Sequence, residues 1–95
     1  MIRFTVNYPK GEGATFDHAY YANTHIPLCN GIWNPTKTEI DKGIDGPNVA
    51  AVHFYFDSME TFQSSMGSPR SGEALADVPN YTNIIPTTQL SEIVA

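Results

Sequence analysis

The residues able to do proton chemistry gather in one short stretch, Phe16 to Leu28, which reads FDHAYYANTHIPL and holds two of the chain's three histidines and two of its five tyrosines. An imidazole near its ordinary pKa of about 6.5 gives or takes a proton at neutral pH. A well-placed proton transfer is typically worth about 10²- to 10⁴-fold in rate. Tyr21 precedes His25 by four residues, so on a helix both project from one side and can serve a common pocket. Cys29 follows His25 at the same spacing and could form a cysteine–histidine nucleophile pair, although free cysteine is also among the commonest buried residues. His18 and His25 share a helical face but stand about 10.5 Å apart along the axis, too far for one metal ion with bonds near 2.1 Å. The third histidine, His53, would share a strand face with Ala51 and Tyr55. For each histidine a structural role, hydrogen-bonded in a core or an interface, competes with the catalytic one.

These side chains need a scaffold, and the hydrophobic patterning supplies it. Ile2, Phe4 and Val6 alternate with Arg3, Thr5 and Asn7, which predicts a strand with one buried face, ending at the Pro and Gly turn from Tyr8 to Gly13. Thr15 or Asp17 can cap the helix that follows. At about 100° per residue Phe16, Tyr20, Thr24 and Leu28 make a buried arc joined by Pro27, with Tyr21 and His25 at its margin. Pro27 predicts a kink just after His25, leaving room there for a ligand. Asn30 to Pro35 reads as a loop carrying Trp33, and Thr36 to Lys42 as an edge strand. After the turn from Gly43 to Asn48, the run Val49 to Phe56 predicts a central strand covered on both faces. Asp57 with Glu60 resembles a capping box before a helix packing through Met59, Phe62 and Met66. Gly67 ends it, Ser68-Pro69 starts a short helical turn through Ala76, Pro79 to Pro86 is irregular, and Thr87 to Val94 is a last strand. The order is βαββαβ, a single α+β domain over residues 1–95. It predicts a ferredoxin-like four-stranded antiparallel sheet with both helices on one face. The other face then needs a cover, and a second copy of the chain is the simplest one.

Composition narrows the function classes. Hydrophobic residues make up 41% and charged ones 16%, a globular pattern with so little charge that further burial in an oligomer is expected. Ten acids against five bases give a net charge of −5, and the bases are scattered, so neither nucleic acid nor an anionic membrane is an expected partner. One cysteine, no signal-peptide pattern and no run of about 18 apolar residues predict a cytoplasmic protein. No dinucleotide-binding, phosphate-loop or nucleophile-elbow motif occurs, so neither a nucleotide nor a flavin cofactor is expected.

The chain resembles the EthD family of dimeric α+β barrel proteins along nearly its whole length. The resemblance rests on Phe16-Asp17 with Tyr20-Tyr21 and His25-Ile26-Pro27-Leu28, then on His53-Phe54-Tyr55-Phe56-Asp57-Ser58 leading to Phe62, and finally on Asp77-Val78-Pro79-Asn80-Tyr81-Thr82-Asn83 before Gln89-Leu90-Ser91-Glu92. It implies a homodimer with facing sheets and, in each subunit, a cleft between sheet and helices. It carries over the position of His25 with Tyr20 or Tyr21 beside it, and no particular reaction. Related barrels include cofactor-free oxygenases, lactone isomerases, and dehydratases or decarboxylases acting on polyketide-like compounds. Two functions are therefore in contention. One is a cofactor- and metal-free enzyme for a small apolar or aromatic oxygenated molecule, with His25 as acid/base, Tyr21 as hydrogen-bond donor, and Tyr20, Trp33, His53 and Phe54 as substrate contacts. The other is a non-catalytic homodimer that binds such a molecule. If His25 faces a cleft, replacing it should cost function and leave melting nearly unchanged.

Overall fold

The alternation of the first strand, β1 (Ile2–Pro9), sends Ile2, Phe4, Val6 and Tyr8 to one side. Opposite them in the antiparallel strand β3 (Asn48–Phe56) stand Phe56, Phe54, Val52 and Ala50, which puts eight apolar or aromatic side chains on one sheet face. With β2 (Lys37–Lys42) beside β3 and β4 (Thr87–Glu92) beside β1, the sheet runs β2-β3-β1-β4, every pair antiparallel. The computed structural model describes residues Met1–Ala95. Between β1 and β2 the chain is helical through α1 (His18–Tyr20), a π-helical turn (Tyr21–His25) and α2 (Ile26–Trp33). Between β3 and β4 come α3 (Met59–Met66), α4 (Ser71–Asp77) and a 3₁₀ turn (Val78–Asn80). This is the ferredoxin-like βαββαβ arrangement, with the helices on the Phe54 face. Full burial of side chains such as Phe54 and Phe56 contributes about 1.5 to 3 kcal/mol apiece.

Several local expectations change. Asp17 is the N-cap and accepts from the Tyr20 amide, so Phe16 precedes the helix and does not set its phase. The buried stripe is Tyr21, His25, Ile26 and Cys29, whereas Thr24 and Pro27 are exposed. The irregularity near Pro27 ends at His25 rather than beginning after it: the Ile26 amide reaches back five residues to the Tyr21 carbonyl. A proline ring crowds the carbonyl four residues earlier, and widening the preceding turn gives it room. The helix then continues through Trp33, so Asn30 to Trp33 is not loop. It stops at Asn34, which takes the left-handed conformation, φ 49°, that asparagine tolerates at a helix end.

Ser58, rather than Asp57, caps α3 by accepting from the Thr61 amide, while the Asp57 carboxylate accepts from Thr36 Oγ1. Phe62 docks α3 against Phe4 and Phe56 at ring distances of 5.3 and 5.5 Å, and Met59 stays exposed. The short helix after Gly67 begins at Ser71, preceded by Arg70, because Ser68 forms a separate turn whose carbonyl and hydroxyl accept the Ser71 and Arg70 amides. At the β2–β3 turn, any Cβ on Gly43 would collide with the Asn48 carbonyl oxygen, so only glycine fits.

The helix-free face is not the apolar surface that the run in β3 suggested. Arg3, Thr5 and Asn7 of β1 pair there with Tyr55, His53 and Ala51 of β3, and β2 adds Lys37, Glu39 and Asp41. The continuous apolar run misled because its residues divide by strand parity: Ala50, Val52, Phe54 and Phe56 go to the helices, while Val49, Ala51, His53 and Tyr55 go to the other side. No helix of the chain is long and apolar enough to cross a membrane.

Candidate functional site

His25 sits at the last position of the π-helical turn, with its ring under the helices and only 5% exposed. Its Nδ1 is 2.9 Å from Asp77 Oδ2 at the end of α4. The other Asp77 oxygen accepts from the Tyr20 hydroxyl at 2.7 Å and from the Asn80 amide at 2.9 Å. Those donors, the Tyr20 hydroxyl first, hold the Asp77 carboxyl below its ordinary pKa. A carboxylate only accepts, so the neutral imidazole carries its proton on Nδ1 and offers the Nε2 lone pair. Burial lowers the His25 pKa, opposed by Asp77, and the net shift is downward. The ring is therefore a neutral base at neutral pH, fixed in one tautomer.

On its Nε2 side His25 meets the Tyr81 hydroxyl at 3.3 Å and Cys29 Sγ at 3.5 Å. Burial pushes the Cys29 thiol up to about 12, so it stays protonated, a buried side chain rather than a nucleophile. The Tyr81 hydroxyl is 2.8 Å from that of Tyr8. Burial also raises the pKa of both phenols, keeping them neutral. Tyr21 stacks on the His25 ring at 5.5 Å, yet its buried hydroxyl has no hydrogen-bond partner. Such an orphan donor costs about 1 to 3 kcal/mol and marks a place worth explaining.

Tyr81 is placed by the segment after α4. The Asp17 amide donates to the Tyr81 carbonyl, Thr82 Oγ1 donates to the Thr15 carbonyl, and Asn83 Oδ1 accepts from the Thr15 amide. Asp77 is placed by α4, which approaches α2 through the buried Ala74 and is tied by Trp33 Nε1 donating to Ser71 Oγ at 3.0 Å.

A cavity of about 310 Å³ lies between this group and the sheet. Its walls include Phe4, Val52, Phe54, Trp33 and Val78, and its polar end is made by Tyr8, Tyr21, His25, Cys29 and Tyr81. Asp77 and Tyr20 do not line it, so His25 turns Nε2 to the cavity and Nδ1 to the carboxylate behind. Leu75 and Thr88 line the cavity and are exposed, which puts its mouth between α4 and β4. An open depression of about 390 Å³ near Asp17 and Asn80 is polar and does not reach His25. No three His, Cys, Asp or Glu side chains converge as metal ligands.

Of the residues singled out from sequence, His25, Tyr21, Trp33 and Phe54 meet at the cavity. Tyr20 stands behind it on Asp77. His53 lies on the helix-free face, with Nδ1 2.9 Å from Thr5 Oγ1 and Nε2 2.8 Å from Asp41 Oδ2. Adjacent strand residues point to opposite faces, so His53 and Phe54 cannot line one cavity. Sequence reasoning passed over Tyr8, Asp77 and Tyr81 as chemical groups. Asp77 and Tyr81 lie in a segment that carried the family resemblance, and that was the available signal.

Neither a protein-family model nor a curated protein sequence matches the chain. Solved structures do. An EthD-like protein from Ralstonia eutropha JMP134 is 38% identical, with a TM-score of 0.89 over 99% of this chain and 92% of that one. An EthD family protein from Bacillus halodurans C-125 is 19% identical, with a TM-score of 0.77 over 99% of both chains. SnoaB from Streptomyces nogalater, a cofactor-independent oxygenase, shares the fold at 8% identity and a TM-score of 0.75, over 99% of this chain and 93% of its own. At 38% identity over 99% of its length, this chain belongs to the EthD family.

Proposed function

We propose that the cavity binds a small, mostly apolar oxygenated molecule and that His25 is the final acceptor of a proton taken from it, in acid/base catalysis without a cofactor. The observation that carries this reading is the orientation of His25. Asp77 fixes the Nδ1 proton outside the cavity, and the Nε2 lone pair faces the polar end of a largely apolar chamber, beside the Tyr81 hydroxyl. A base of that kind suits isomerisation or dehydration of carbonyl compounds, and also the removal of a proton that precedes attack by oxygen. The likeness to SnoaB is compatible with the last. At about 310 Å³ the cavity is at the small end of ligand pockets, enough for a compound of one or two rings. The reading includes pairing of two copies through their helix-free faces, which light scattering checks as a dimer of 10.5 kDa chains.

The test is a thermal-shift screen with aromatic ketones, lactones and phenols, followed by product analysis for each compound that raises the melting temperature. Compounds that shift the protein should be turned over, and His25→Gln should slow that turnover by about 10²- to 10⁴-fold. A compound that shifts the wild type, competes for the cavity and is never converted would favour the non-catalytic binding module instead.

A further inference from the structure

The hydrogen bonds behind the cavity have only one consistent direction. Asp77 accepts on both oxygens, so His25 donates from Nδ1 and must accept at Nε2. A phenol is a better donor than a thiol, so Tyr81, at 3.3 Å, gives its proton to Nε2 in preference to Cys29. Once the Tyr81 proton is committed, the 2.8 Å contact between the two phenols requires Tyr8 to donate to Tyr81. Every proton in the series Tyr8, Tyr81, His25 points toward Asp77. What remains at the cavity end are the lone pairs of the Tyr8 oxygen, beside the Tyr21 hydroxyl, a buried donor with no partner of its own.

We infer that Tyr8 and Tyr81 are ligand-contacting residues and that the ligand presents a hydroxyl group, an enol or a hydroxylated aromatic ring, to the Tyr8 oxygen. This rests on the reading of the cavity as a small-molecule site and deepens it by naming the group recognised. The same series moves the proton. The ligand O–H breaks, its proton goes to Tyr8, the Tyr8 proton to Tyr81 and the Tyr81 proton to His25 Nε2. The electron pair stays on the ligand as an oxyanion, facing an imidazolium held by Asp77. Nothing is oxidised or reduced, and no further reactant is needed. A ketone, which can only accept, could take the Tyr21 proton but would leave the Tyr8 lone pair unmet, whereas a hydroxyl can donate to Tyr8 and accept from Tyr21.

Three probes of one shape separate the possibilities: 1-naphthol donates and accepts, 1-methoxynaphthalene has lost the donor, and 1-tetralone only accepts. Calorimetric titration of the unmodified chain should give a dissociation constant for 1-naphthol about tenfold or more below those of the other two, the worth of one buried hydrogen bond. Tyr8→Phe should erase that preference and leave binding of 1-methoxynaphthalene nearly unchanged, and Tyr81→Phe should reduce it. If 1-methoxynaphthalene binds as tightly as 1-naphthol to the wild type, the inference is overturned while the cavity reading stands. If 1-tetralone binds tightest, the orphan Tyr21 hydroxyl reads the ligand oxygen and the inference again fails. If none of the three binds, the cavity reading falls and takes the inference with it.

Discussion

The molecule contains two histidine–aspartate pairs on opposite faces of one sheet, at 2.9 and 2.8 Å, and distance alone does not tell them apart. Their surroundings do. The side chains of His25 and Asp77 are 6% and 13% exposed, whereas those of His53 and Asp41 are 22% and 59% exposed. Asp77 has two further donors and sits behind a ring that faces an apolar cavity; Asp41 lies on an edge strand in contact with water. In a low-dielectric setting the carboxylate fixes the tautomer and holds the base ready, while in water the same pair is screened and worth little. A His–Asp contact is therefore evidence of a site only when something excludes solvent from it.

The largest expected effect breaks the pairs one at a time. Because His25 is buried and hydrogen-bonded at both nitrogens, His25→Ala should now cost about 1 to 3 kcal/mol as well as the ligand response, contrary to the expectation of an unchanged melting temperature. That is several degrees for a domain of this size. His53→Ala, measured in the same scan, should leave the ligand response intact. Equal melting losses for both variants would show that the two environments do not differ as described.

An intermediate effect comes from acid. The pKa of His25 is lowered in the folded chain, so below its ordinary 6.5 the unfolded chain takes up a proton that the folded one resists. Stability from this group is complete above pH 6.5 and declines as pH falls below it. Asp77 acts in the same direction in a lower window: its contribution is full above pH 3.8 and is lost as pH falls through its depressed value. Melting temperature followed from pH 7.5 to 5 should fall, and His25→Gln should flatten the curve. A slope that is the same in both proteins would remove His25 as its source.

The smallest effect is at the outer pair. Asp41→Ala in a monomer should cost no more than about 1 kcal/mol, the worth of a solvent-exposed side-chain pair. If two copies pair through the helix-free face, the same substitution should become concentration-dependent, with the larger loss in dilute protein. Dilution-independent melting together with a monomeric scattering mass would exclude that pairing.

Strand alternation and helix-end chemistry made the architecture legible, because both are local. Ile2, Phe4 and Val6 announce their face without help from the rest of the chain. His25 was legible as a candidate for the same reason, lying four residues from Tyr21 and next to a proline. Asp77 and Tyr8 were not. They lie 52 residues after and 17 before His25, and no periodic rule connects them to it. The face of His53 was recoverable from parity with Phe54, but the apolar run around it hid which parity met the helices. The π-helical turn was announced by Pro27, yet its position up to His25 rather than just after it depends on which carbonyl the chain leaves free.

The bridge between Phe16 and Thr82, with the bonds of Thr82 and Asn83 to Thr15 and Gly13, ties the beginning of the first helical stretch to the end of the second. These contacts span up to 70 residues, but once the β1–β4 ladder has paired Asn7 with Thr87 they close only a short further loop, so they follow the sheet. The β1–β3 and β1–β4 ladders can form first, and His25 can reach its helix, while the cavity still lacks Tyr81. Folding and assembly of the polar end are then separable events. Amide exchange at Asp17 and Tyr81 reports the second, and a ligand occupying the chamber should slow that exchange more than it slows exchange in the central strands.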